Sequence, residues 1–150
     1  MKYKINLVFF FIIILAIISC NSKVDIINQQ IQPTAYILQT PSVDKVNIVG
    51  RIISKNTNLA IADIDVWLAK VIKKGDEVFY ILDTVNSPSI MSNEHGYFQF
   101  INIDPGEYVI VIGNPEIKYE IITNEFGKAK VWNFNAGNIE NVGDLLVSLK

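Results

Sequence analysis

From residue 46 onward the chain sets its apolar positions in short stretches, alternating or clustered, each closed off by Gly, Pro, Asn, Asp or Ser. Such punctuation, recurring every roughly 8–12 residues, predicts strands. They are expected at 46–54, 64–72, 78–84, 97–101, 108–112, 118–123, 129–134 and 145–149, and no stretch supports a long amphipathic helix. In Ile64-Asp65-Val66-Trp67-Leu68, the residues Ile64, Val66 and Leu68 share one face while Asp65 and Trp67 share the other, as a half-buried strand requires. Tyr108-Val109-Ile110-Val111-Ile112 is apolar on both faces, which places it centrally and covered on both sides. Lys73-Lys74-Gly75-Asp76-Glu77 reads as a hairpin loop in which Gly75 takes a positive φ. The expected fold is all-β, a single antiparallel β-sandwich of about seven strands, since two sheets are the natural way to hide the inner faces of so many short strands.

The amino terminus has a different texture. Lys2 and Lys4 precede an unbroken apolar run from Leu7 to Ile18, LVFFFIIILAII, followed by Ser19, Cys20 and Asn21. Basic start, apolar middle and small residue at the end is the order of a secretion signal. The run is shorter than the roughly 20 apolar residues needed to cross a bilayer, so cleavage is favoured over an uncleaved anchor. From Asn21 to Asp44 the sequence is polar, broken by Gln29, Gln30, Gln32, Pro33, Thr40, Pro41 and Ser42, and reads as a tether. Short apolar pieces at 24–27 and 36–38 could add an edge strand. The expected organisation is a signal peptide at 1–19, a lipidated terminus and tether at 20–45, and one sandwich domain at 46–150.

Ile17-Ile18-Ser19-Cys20 resembles the lipobox of bacterial lipoproteins, in which a branched aliphatic residue, a tolerant position and a small residue precede a cysteine. The resemblance implies that Cys20 is thioether-linked to diacylglycerol, becomes the new amino terminus and is acylated there. Two or more acyl chains anchor a protein stably, whereas one does not. The alternative is an ordinary secretory site with one stray thiol. A chain exported in this way would be lipid-anchored in the cell envelope, with the membrane, outer or cytoplasmic, left open. Cys20 is the only cysteine, so stability rests on packing and not on an internal disulfide.

Loss of residues 1–19 would leave eleven basic against fifteen acidic groups, a net charge near −4. That argues against nucleic acid as a partner, which calls for a basic face. It also argues against a polybasic grip on anionic lipid.

The stretch SNEHGYFQFINIDPGEY, residues 92–108, holds the only histidine, His95, among Glu94, Gly96 and Asp104. Phe98 and Phe100 alternate with Tyr97 and Gln99, so His95 belongs to the turn before a strand. Asp104-Pro105-Gly106-Glu107 reads as a type II β-turn, with Pro105 at the second position, Gly106 at the third and Asp104 capping it through its side chain. The segment resembles the signature of carboxypeptidase regulatory-like domains, the prealbumin- or transthyretin-like sandwiches, in which Thr-Asp-x-x-Gly-x-Phe-x-Phe leads into Pro-Gly-x-Tyr. Ser92, Asn93, Gly96, Phe98 and Phe100 match the first part, with Ser for Thr and Asn for Asp; Pro105, Gly106 and Tyr108 match the second. Val49-Gly50-Arg51-Ile52 resembles the first strand of such domains, 59–68 their second segment with Ala60 in place of Pro, and 142–147 their last strand. The resemblance implies that Gly50, Gly96, Phe98, Phe100, Pro105, Gly106 and Tyr108 shape turns and strands of the fold. Asp104-x-Gly106-x-Tyr108 also resembles the tyrosine corner of immunoglobulin-like sandwiches, although paired cysteines are missing.

Chemistry is thinner. A catalytic zinc normally takes three protein ligands, and His95 has no histidine partner. Intradiol dioxygenases bind iron through two Tyr and two His, and hydroxyisourate hydrolases need several His and a terminal Tyr-Arg-Gly-Ser, whereas this chain ends Leu-Val-Ser-Leu-Lys. No Gly-x-Ser-x-Gly elbow occurs. Asp63, Asp65 and Asp83 could offer oxygen to calcium, but no Asp-x-Asp-x-Asp-Gly loop is present. No enzyme activity, metal or cofactor is expected. Trp67, Tyr80, Tyr97 and Trp132 could stack on sugar rings if they share an exposed face, or anchor a protein partner. The function expected is a membrane-anchored envelope lipoprotein whose sandwich is a non-catalytic structural or protein-interaction module, the alternative being a surface carbohydrate-binding module; the partner, an envelope protein or a glycan, is open.

Overall fold

The computed structural model describes residues 39–75 and 77–149. Cys20, the signal segment, the tether as far as residue 38 and the candidate edge strands at 24–27 and 36–38 lie outside them.

Nine strands follow in chain order: β1 (Val46–Ser54), β2 (Asp65–Lys74), β3 (Glu77–Ile81), β4 (Ser89–Met91), β5 (Tyr97–Ile103), β6 (Gly106–Asn114), β7 (Lys118–Ile121), β8 (Val131–Phe134) and β9 (Ile139–Val147). They form two sheets, a three-stranded one ordered β5-β1-β9 and a six-stranded one built on β3-β2-β6-β7, with β4 also on β2 and β8 also on β6. The fold is the expected all-β sandwich. β6 has its residues from Tyr108 to Ile112 buried on both sides, and β2 and β6 pair antiparallel at the centre of the larger sheet. Between the sheets lies the main core, to which Ile48 and Ile52 of β1, Val66 and Leu68 of β2, Phe98 and Phe100 of β5, and Ile110 and Ile112 of β6 contribute. Each fully buried side chain of this kind contributes about 1.5–3 kcal/mol relative to its exposed state.

Three features depart from the expected pattern. β4 is absent from the predicted strands because it is only three residues long and none of the three is buried, so burial leaves no alternation in its sequence. β9 begins at Ile139, six residues before the predicted start, because Asn141 and the positive-φ Gly143 break its alternation without breaking its pairing. It also pairs parallel to β1, within an otherwise antiparallel pairing scheme, and the β1–β9 register shifts between Val49 and Arg51. A β-bulge of this kind re-aims side chains, and partner direction leaves no mark on local alternation.

The turn expected at 104–107 is also different. Gly106 has φ of +148°, well beyond the roughly +80° of a type II turn. β6 already begins at Gly106, and the Asp104 carbonyl accepts from the Tyr108 hydroxyl at 2.9 Å. The Asp104 carboxylate is held not by its own turn but by Lys45, 2.6 Å away.

Candidate interaction site

The segment 92–98 is fastened from both sides. Ser92 is buried, donating its hydroxyl to the Ile61 carbonyl at 2.9 Å and accepting from the Ile64 amide at 3.2 Å, so it ties the connection before β2 to the turn before β5. Asn93 Oδ1 accepts from the amides of His95 and Tyr97, closing a turn whose last residue, Gly96, sits at φ +78°. Phe98 lies across Gly50: a Cβ added there would come within 2.6 Å of the Phe98 ring and of Val142. Gly50 is therefore small because a neighbouring strand's ring needs its space. Phe98 and Phe100 meet edge to face at 5.9 Å between ring centres.

Tyr108 ties β6 to the connection from β5. Its ring stacks on Phe134 at 6.1 Å and its hydroxyl donates across four residues to Asp104, the hydrogen bond of a tyrosine corner. Burial pushes the phenol upward from its ordinary value, with the Asp104 charge adding to it. Tyr108→Phe keeps the ring and removes the bond, so a loss of about 0.5–1.5 kcal/mol is expected in urea denaturation. No change in midpoint would mean that water replaces the hydroxyl without cost. The Lys45 ammonium lowers the Asp104 carboxyl through a hydrogen bond and charge attraction; Asp104 is exposed and Lys45 half-buried.

The four aromatics singled out as candidate stacking residues do not form one platform. Trp67 and Tyr80 face outward from the larger sheet, Tyr97 outward from the smaller one, and Trp132, registered with Tyr108, faces the interior. Trp67 is half-buried, donates its indole N–H to the Gly113 carbonyl at 3.1 Å and lies with Val71, Leu82, Ile121 and Ala129 against buried Ala69, Val109 and Val111. The Arg51 guanidinium stands 5.0 Å from the Tyr97 ring centre and the Lys130 ammonium 4.7 Å from that of Trp132. Cations already occupy faces of these two rings.

What the structure does bring together lies at the other edge of the larger sheet. β3 ends that sheet among the described residues, and every one of its five residues is exposed. Val78 and Tyr80 project outward; Phe79 and Ile81 project to the inner side, registered with Ile72 and Lys70 of β2. The smaller sheet does not cover this ribbon, so Ile72, Phe79 and Ile81 remain 44–52% accessible on what would otherwise be a core face. At its root is a cavity of about 300 Å³, walled by Leu68, Ile72, Ile81, Ile103 and Pro88, with Tyr108 and Asp104 alongside. The loop that rims it is internally fixed: Asp83 accepts from the Asn86 side chain at 2.7 Å and from the amides of Val85 and Asn86, bonds that hold its carboxyl below the usual range. The sequence shows this site only as Val78-Phe79-Tyr80-Ile81, a strand apolar on both parities. That the ribbon overhangs the other sheet depends on sheet widths, which alternation does not encode.

His95 is an open turn residue, its side chain 47% exposed and 3.4 Å from Glu94. Its backbone carbonyl accepts from Arg51 Nε at 3.0 Å. Among the described residues no three of His, Cys, Asp or Glu gather as metal ligands.

No family model and no curated protein matches the chain. It is similar to solved structures at low identity. One is a candidate carbohydrate-binding protein from Pseudomonas aeruginosa, at 15% identity and a TM-score of 0.45, covering 72% of this chain and 92% of that one. Another is a DUF3823 family protein from Bacteroides uniformis, at 18% identity and 0.41, covering 69% of this chain but only 43% of that one. A third is the dioxygenase domain of a dioxygenase and carbohydrate-binding fusion from Streptomyces sp. SirexAA-E, at 10% identity and 0.42, covering 77% and 86%. Likeness at this level transfers no residue's role, and the functional reading rests on the chain's own side chains.

Proposed function

We propose that the chain is a cell-envelope lipoprotein, anchored through acylated Cys20, whose β-sandwich is a non-catalytic protein-interaction module. The observation that carries the module is the exposed apolar β3 edge beside an open cavity, a surface suited to another polypeptide. A protein partner is favoured over a glycan because the candidate stacking rings are divided among three surfaces and two of them carry cations. Intradiol iron chemistry, which needs two histidines, has only His95 to draw on.

The anchor is supported by the order of residues 2–20: lysines, apolar run, Ile17-Ile18-Ser19-Cys20. Cys20→Ala is expected to move the protein from the membrane fraction to the soluble one, and metabolic labelling with a fatty acid should be lost with it. Unchanged partitioning into detergent by the variant would sink the anchoring claim while leaving the sandwich's role as a module untouched.

A further inference from the structure

We propose that β3 pairs antiparallel with β3 of a second copy of this chain, joining two larger sheets edge to edge. The inference deepens the interaction-module reading by naming the partner. An edge strand offers a row of unpaired backbone N–H and C=O groups, and proteins that must not self-associate blunt such edges with charge, brevity, proline or bulges. The other edges among the described residues are blunted. β7 carries Lys118 and Glu120, β9 carries Glu140 and Asp144 and is bulged against β1, and β4 and β8 are three and four residues long. β5 is bulged against β1 between Ile103 and Phe100, where Asn102 takes a positive φ of 55°. β3 instead shows Val-Phe-Tyr-Ile to solvent, a composition that favours pairing.

The pairing fits itself. With Phe79 on the two-fold axis, Val78 of each copy faces Tyr80 of the other on the outer side, and Phe79 meets Phe79. These are aromatic–aromatic and aromatic–β-branched cross-strand pairs, the favourable kinds. The register also keeps like charges apart. Glu77 is the only charged residue of the strand, and the axis sends the two copies' glutamates to opposite ends. Each one falls next to Ile81 of the other copy, in the inner-face row that continues to Lys70, while Lys74 flanks it from its own hairpin. A strand aligned parallel would set Glu77 beside Glu77. Like charges directly opposite each other destabilise a sheet, so the antiparallel arrangement is selected.

A five-residue edge is small beside the roughly 1,200 Å² that a stable free dimer buries. Confinement of both copies to one membrane surface raises their effective concentration without any new contact. Pairing is therefore expected on membranes and, in solution, only at high protein concentration.

The test is cysteine cross-linking of the full chain in membranes. Phe79→Cys would bring two thiols together at the axis, where opposed Cβ atoms lie about 4.5–5.5 Å apart, near disulfide range and within reach of a short bis-maleimide. Val85→Cys, 86% exposed on the loop after β3, and the unaltered chain with Cys20 serve as comparisons. Phe79→Cys is expected to yield at least about tenfold more covalent homodimer than Val85→Cys, the gain that shared orientation confers. Adding Val78→Glu together with Tyr80→Glu, which sets like charges directly opposite each other across the seam, should abolish it. Phe79 is exposed, so the variant is expected to fold, and retained circular dichroism would verify that. The soluble double variant Cys20→Ala, Phe79→Cys should cross-link with a yield that rises with concentration, which keeps the pairing testable if the anchor reading fails. Equal yields from Phe79→Cys and Val85→Cys, absence of homodimer in both membranes and concentrated solution, or adducts solely to other proteins would each overturn the proposal.

Discussion

Replacing Gly96 with alanine is expected to destabilise the fold by about 3 kcal/mol, the sum of a left-handed backbone cost of roughly 1–2 kcal/mol and overpacking of roughly 1–3 kcal/mol. Gly96 has φ of +78°, and a Cβ there would stand 2.6 Å from the Ile52 carbonyl oxygen and 3.1 Å from Ala60. That oxygen cannot step aside cheaply. It accepts from the Ile61 amide at 3.0 Å, while the Ile52 amide donates to the Gly96 carbonyl at 2.8 Å. The added methyl would therefore strain the register of β1 against the start of β5, together with the loop that Ser92 ties to Ile61. Gly75→Ala is the control. Its φ of +62° carries the same sign of penalty, but nothing lies within 4 Å of the Cβ position at the hairpin tip. A loss of about 1–2 kcal/mol is expected there, from the left-handed backbone alone. Urea denaturation of the two variants side by side separates the terms, and equal losses would mean that the β1 carbonyl yields without cost.

The contrast shows what a sequence of this kind discloses. Gly96 stands out because a polar turn ends in it and Phe98 and Phe100 alternate after it, both local signals. Gly113 carries none: it follows the apolar run of β6, yet its φ is +99° and a Cβ would meet the Lys118 carbonyl at 2.5 Å. Its need is set by the partner strand β7, which lies at contact distance and is invisible to alternation. Asp104 fails in the other direction. Asp before Pro-Gly has a strong local preference to cap its own turn, but Lys45, fifty-nine positions away, takes the carboxylate and the Tyr108 hydroxyl takes the carbonyl. Tertiary partners override local turn chemistry here. The two-sided apolar pattern of Tyr108 to Ile112 did locate the central strand, because burial on both faces acts on every residue of it. The same pattern in β3 reflects exposure on both faces, and composition alone does not tell a strand buried twice from one awaiting a partner.

Truncation of adjacent residues on β6 should distinguish the two apolar layers. Ile110→Ala is expected to cost about 3–5 kcal/mol and Val111→Ala about half of that. Both side chains are buried, at 0% and 1% exposure. Transfer alone separates them little, because Ile loses three carbons and Val two at about 0.8 kcal/mol each. The larger difference is the cavity term, which depends on how far the surroundings can close. Ile110 lies between the sheets, opposite Leu68, and its carbonyl is fixed by the Ile122 amide at 3.0 Å, so the space it leaves stays open. Val111 lies on the outward face, opposite Trp67 and Ile121, and the cover above it is half-buried side chains. Those chains can settle into the gap. The same experiment bears on Trp67, whose indole N–H is committed to Gly113. If Val111→Ala proves as costly as Ile110→Ala, Trp67 is a rigid lid over a second core and its ring is not available to a ligand. If the cost is small and Trp67→Ala costs little more, the indole is a loose surface ring, and a glycan-binding assay on that face regains its motive.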